Sequence, residues 1–172
     1  MRLFSWFVDT RDPADEVRRL LAREVPEVRS GIVQIRAIGR LPGTLTKIAV
    51  ASTDSSIDAV GACVGARGAR IQAIVRRLGG ERIDLMPWKA DAERLLRFAI
   101  APLQIVTLSI DRPRKLASVT VDPPDPTMWI PPLEAIQFTA SQLTGTHIDI
   151  RVVGEGVRMP PMPSVPPPCT GH

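Results

Sequence analysis

The segment DAVGACVGARGARIQAIVRRLGGERIDL, Asp58 to Leu85, carries the most structural information in the chain. Ile57 to Val64 reads as a short helix. Gly65-Ala66-Arg67-Gly68 interrupts it, and Ala69 to Leu78 resumes a helix with Ile71, Ile74, Val75 and Leu78 on one face. Gly79-Gly80 then turns the chain into a strand, Arg82 to Met86. A Gly-x-x-Gly turn between two short helices is a physical device. Its glycines let another backbone approach without Cβ clashes, and the second helix presents unpaired N–H groups and a positive dipole end, both suited to phosphate. Arg67 in the turn and Arg70 one turn on add fixed positive charge. Between residues 65 and 82 five arginines (67, 70, 76, 77 and 82) stand against one acid, Glu81.

Working outward, Asp12-Pro13 is a helix start, and Val17, Leu20, Leu21 and Val25 recur at helical spacing until Pro26 and Gly31 close that helix. Ile32 to Ile38 and Lys47 to Ser52 are β-rich runs separated by Leu41-Pro42-Gly43-Thr44, a turn signal. The order is helix, strand, strand, helix, helix, strand. It then repeats: helix Asp91 to Ile100, strands Leu103 to Ile110 and Leu116 to Val121, helix Leu133 to Leu143, strand His147 to Val152. The closing segments rhyme, RRLGGERIDL (76–85) against SQLTGTHIDI (141–150), which makes this an internal repeat of about 70 residues. The expected organisation is an apolar arm at 1–10, a first domain at 11–88, a second at 89–154 and a proline-rich tail at 155–172.

The 172 residues carry a net charge of +4, and it is uneven. Residues 1–80 hold 13 Lys/Arg and 8 Asp/Glu, a net of +5; residues 81–172 hold 9 and 10, a net of −1. The first half therefore has the electrostatic footprint of a polyanion binder. Cys63 and Cys169 form no disulfide framework, and Cys63 in an apolar helical run reads as a small buried hydrophobe. His147 and His172 match no ligand spacing, and no cofactor or metal is expected. No paired carboxylates, activated nucleophile, dinucleotide fingerprint or P-loop points to an enzyme. No apolar run reaches bilayer length, and Asp9, Arg11 and Asp12 follow MRLFSWFV too soon for a signal peptide, so a cytoplasmic location is expected.

Helix, Gly-x-x-Gly, helix, strand is the arrangement of the KH fold, whose loop clamps about four unpaired nucleotides. EVPEV (24–28), GIVQIRAIGR (31–40), TKIAV (46–50) and above all residues 58–85 resemble the first KH domain of the NusA family, bacterial factors of transcription elongation, termination and antitermination. LTGTHIDI (143–150) resembles the family's second KH domain more weakly. The resemblance spans roughly residues 10 to 153. It implies an α+β protein of two tandem type II KH domains, each helix-strand-strand-helix-helix-strand with a three-stranded sheet, binding single-stranded RNA near a transcribing polymerase. The family's polymerase-binding domain and oligonucleotide-binding barrel have no counterpart here, so the KH pair is expected to stand alone or to be cut from a longer chain.

The expected RNA contacts are Gly65, Ala66, Arg67 and Gly68 on the backbone, Arg67 and Arg70 on phosphates, Val64 and Ile71 as apolar floor, and the strand from Arg82 offering groups to base edges. Core packing is the competing reading for Val64 and Ile71. No aromatic interleaves the basic stretch, so no stacking platform is expected. Counting back from the shared strand end puts the second loop at Pro131, Pro132, Leu133 and Glu134. Neither glycine is there, two N–H donors are missing, and Glu134 repels phosphate. The partners expected are single-stranded RNA and, as a candidate, RNA polymerase or another transcription or RNA complex. A protein-interaction role within a larger RNA-handling assembly is the alternative, motivated by the altered second loop, Trp129 and the apolar Leu3, Phe4, Trp6 and Phe7.

Overall fold

The computed structural model describes residues 12–154 apart from 124, 126 and 128. The expected arm at 1–10 and the proline-rich tail at 155–172 lie outside the described residues. Asp12 caps the first helix, α1 (Pro13–Glu24), its carboxylate accepting from the Ala14 N–H at 2.9 Å. Val17 and Leu21 point inward from that helix and are fully buried. Pro26 does not simply close the helix as its sequence suggests. Val25 turns extended and Pro26 opens a short second helix, α2 (Pro26–Arg29), because a fixed φ and a missing N–H suit a first helical position.

β1 (Val33–Leu41) and β2 (Leu45–Ser52) form an antiparallel hairpin closing at the Leu41–Leu45 pair. α3 (Ala59–Val64), a 3-10 turn (Ala66–Gly68) and α4 (Ala69–Arg77) follow, then β3 (Arg82–Pro87), which lies parallel to β2. The second half comprises α5 (Ala92–Ala99), β4 (Ile105–Asp111), β5 (Leu116–Val121), α6 (Leu133–Thr144) and β6 (His147–Val152). The sheets have orders β1-β2-β3 and β4-β5-β6, each with one antiparallel and one parallel pair. This is the α+β pair of three-stranded sheets packed by helices that tandem KH domains require. One detail differs: no helix occurs among the described residues between β5 and α6. Pro123, Pro131 and Pro132 lie in that stretch, and proline cannot supply the N–H groups an interior turn needs.

β2 explains how the halves are joined. Leu45 through Val50 are all buried, so this central strand is covered on both faces. Ile48 and Val50 pack with Val17, Leu21, Val25, Cys63 and Ile74 under the first half's helices. Leu45 and Ala49, with Met86 of β3, instead belong to a cluster containing Leu96, Ile136, Ala140 and Ile148 of the second half. The first sheet is thus a layer between its own helices and those of the second half. α6 lies so close to β1 that a Cβ on Gly39 would sit 1.8 Å from the Thr139 carbonyl oxygen, and the Arg40 N–H donates to Gln142 Oε1 at 2.7 Å. β3 is left at the sheet edge, beside α3.

Candidate nucleic-acid interface

Asp58 starts α3 by accepting from the Val60 N–H at 3.1 Å, and the helix stops at Val64. The Gly65 N–H still reaches the Gly61 carbonyl at 2.9 Å, while its own carbonyl accepts from the Gly68 N–H at 3.0 Å. This tight reversal needs positive φ at three of four residues: Gly65 at 75°, Arg67 at 53° and Gly68 at 76°. Glycine adopts that region freely, whereas an L residue is strained there. Space distinguishes the two glycines. A Cβ on Gly65 would meet Arg70 Cγ at 2.6 Å; one on Gly68 would find its nearest neighbour, Ile71 Cγ2, at 3.9 Å. Ala66 and Arg67 are exposed at the apex, so the strained arginine projects from the open side of the turn.

Beside the turn lies a groove of about 400 Å³ between α3, α4 and β3. Val60 and Val64 line it from α3, Ile71 from α4, and Ile83 and Leu85 from β3. All five are half-buried, which places Val64 and Ile71 at the junction of core and groove rather than wholly in either. Among the described residues β3 pairs only with β2, so its other edge keeps backbone groups unpaired within the sheet. The far wall comes from the second half: Phe98, Ala101 and Pro102. Phe98, which the α5 pattern groups with the apolar face, is instead 41% exposed.

The cations do different work. Arg70 Nη1 donates to the Ala62 carbonyl at 2.6 Å and to Glu27 Oε2 at 3.0 Å, so this guanidinium braces the end of α3 against α2. Arg82 Nε donates to Asp84 Oδ1 at 2.9 Å. Lys47 from β2 reaches the other oxygen of Asp84 at 3.2 Å and the Ala101 carbonyl at 2.8 Å. Burial lowers the pKa of Lys47, against the opposing pull of Asp84. Arg76 and Arg77 are exposed on α4, with Arg77 Nε 3.5 Å from Glu24. Reading the sequence alone misses Lys47, Asp84, Phe98, Ala101 and Pro102. Only the Ile-Asp pair repeated on both closing strands hints at Asp84; the others arrive through the packing of the halves.

In the second half, His147 pairs with the first residue of β5, as Arg82 pairs with the first residue of β2. That register has the same offset as the pairing of RRLGGERIDL with SQLTGTHIDI, and it places Ile130, Pro131, Pro132 and Leu133 opposite Gly65 to Gly68, correcting the count of Pro131 to Glu134 by one residue. The consequence is unchanged: no glycine occupies the turn, and two positions lack an N–H. Glu134 falls just beyond it, exposed in the first turn of α6. Among the described residues no helix is long and apolar enough to cross a membrane, and no group of side chains could hold a metal ion.

Residues 11–88 match the model of the NusA-like first KH domain. The chain is 42% identical over 135 residues to the transcription termination/antitermination protein NusA of Rickettsia conorii, covering 77% of this chain and 27% of that protein. It is 39% identical over 132 residues to the NusA of Thermus thermophilus, covering 77% and 34%, and 34% identical over 135 residues to that of Bacillus subtilis, covering 78% and 36%. The chain thus spans about a third or less of the length of these relatives. A glycine turn built at positive φ between α3 and α4, a groove against the edge strand β3, and this similarity together place residues 11–88 in the family of NusA-like first KH domains.

Proposed function

We propose that the chain binds single-stranded RNA through the groove beside Gly65 to Gly68, as the KH part of a NusA-like transcription termination/antitermination factor. The observation that carries this reading is the groove itself: a half-exposed apolar floor bounded by the positive-φ glycine turn on one side and the outer edge of β3 on the other. Phosphates fit the turn, where Gly68 brings no side chain and Arg67 supplies an exposed charge. Bases fit the floor of Val60, Val64, Ile71, Ile83 and Leu85, with the β3 backbone against their edges. Arg70 contributes by holding the turn, and Arg82 by lining the groove. The mechanism is a clamp with no covalent step. Transcription termination/antitermination, which the relatives' names describe, is the proposed setting, with RNA polymerase or another RNA-handling assembly as the proposed partner.

The test is binding to a randomised single-stranded RNA pool at low and high salt, for the wild type and a Gly65→Asp/Gly68→Asp double variant. The wild type is expected to bind more weakly as salt rises, because bound phosphates release counterions, and the variant to lose binding. The altered second turn favours one competing reading, a protein-interaction platform. That reading prevails if neither protein binds RNA while both remain folded.

A further inference from the structure

Trp129 lies in the proline-rich stretch leading to α6, far in sequence from the glycine turn. Yet its ring faces Arg82, with the guanidinium carbon 5.3 Å from the ring centroid. Arg82 lines the groove beside the glycine turn, so the ring adjoins the groove through this arginine. The arginine is not a swinging side chain: Asp84 holds its Nε at 2.9 Å, and Lys47 holds Asp84 in turn. One side of the indole is therefore met by a positioned cation, while the residue remains 69% exposed.

We propose that Trp129 and Arg82 form a nucleobase-stacking site that extends the groove and stands in for the missing glycine turn of the second half. This inference rests on the RNA-binding reading above. The occupant follows from chemistry at the site. A tryptophan offers a flat face to any base, and the adjoining guanidinium both polarises the ring and attracts the phosphate of the same nucleotide. Arg82 lines the groove together with Ile83 and Leu85, so a strand clamped on that floor reaches the indole by passing Arg82. Pro131 and Pro132, which remove the N–H donors a phosphate would need, stiffen the backbone just after Trp129 and so reduce the entropy lost when the ring is fixed. The second half thus exchanges recognition of phosphate by backbone for recognition of a base by an aromatic face.

Two lengths of RNA separate this site from the groove. Labelled randomised pools of about four and about twelve nucleotides, the shorter sized for the clamp alone, are titrated by fluorescence anisotropy. Trp129→Ala is expected to weaken the longer pool about ten-fold and leave the shorter unchanged, while Trp129→Phe keeps most of the affinity. Gly65→Asp/Gly68→Asp loses both pools. Equal affinity of wild type and Trp129→Ala for the longer pool overturns the stacking site and leaves the clamp intact. So does an equal loss on both lengths, which would make the indole a prop for Arg82. A wild type that binds neither pool removes the clamp and the stacking site together. Circular dichroism of each variant checks that the fold is kept.

Discussion

At the residue scale, the glycine turn separates two costs that substitution usually mixes. Gly68→Ala meets only the left-handed backbone, since a Cβ there has room, and should lower stability by about 1 kcal/mol. Gly65→Ala meets the same strain and also drives Arg70 away from Glu27 and the Ala62 carbonyl, so it should lower stability by about 2 kcal/mol. Urea titration of both variants checks the order. A Gly68→Ala loss equal to or larger than that of Gly65→Ala would contradict the role given to Arg70. The sequence announces both glycines, but it does not tell an exposed arginine from a bracing one. Arg67 and Arg70 are three positions apart in one basic run, and only the fold brings Glu27 to the second. Cys63, read from sequence as a small buried hydrophobe, is fully buried, and burial pushes its thiol up to about 11.

At the scale of elements, α3 and β3 hold the groove, and each has a polar fastening that can be tested. Asp58 caps α3; Asp58→Ala should cost about 1 kcal/mol and loosen the turn that the helix leads into. Slower amide exchange at Gly65 and Gly68 in the wild type than in the variant is the expected readout. Just before β3, the buried Glu81 carboxylate accepts from Arg40, the Thr46 hydroxyl and the Gly43 N–H, tying β3 to the β1–β2 hairpin. Burial alone would raise its pKa, but these bonds outweigh burial and hold it below the ordinary 4.5. A depressed carboxylate contributes stability above its unfolded value and loses it as pH falls through its folded one. The melting temperature should therefore drop as pH falls below about 4.5, and Glu81→Gln should flatten that limb while lowering stability at neutral pH by about 3 kcal/mol. An acid limb unchanged in Glu81→Gln would assign it to other carboxylates.

At the scale of the molecule, the halves share a core rather than merely touching. Leu45, Ala49 and Met86 are buried by second-half residues, and Gly39 lets α6 approach β1 to backbone contact. Gly39→Ala should therefore cost about 3 kcal/mol or more, because the obstacle is the Thr139 backbone and not a movable side chain. Far-UV circular dichroism and tryptophan fluorescence should report one coincident unfolding transition in the wild type. Two separated transitions would show that the shared cluster does not couple the halves.

Local order accounts for the features legible along the chain: helix and strand periods, the glycine turn with its positive φ, the internal repeat, and the loss of both glycines from the second turn. These are properties of neighbouring residues, and 3.6- and 2-residue periods, turn chemistry and missing N–H groups can be read along the chain. Which side chains meet across long separations follows only from the packing of the folded chain. It set Lys47 against Ala101, Phe98 on the far wall of the groove, and Trp129 over Arg82. A basic stretch without aromatics in its own sequence acquires one because packing the sheet of one half under the helices of the other carries residue 129 to residue 82. Spacing along the chain holds no record of that contact, which exists only once a shared apolar core fixes the two halves together.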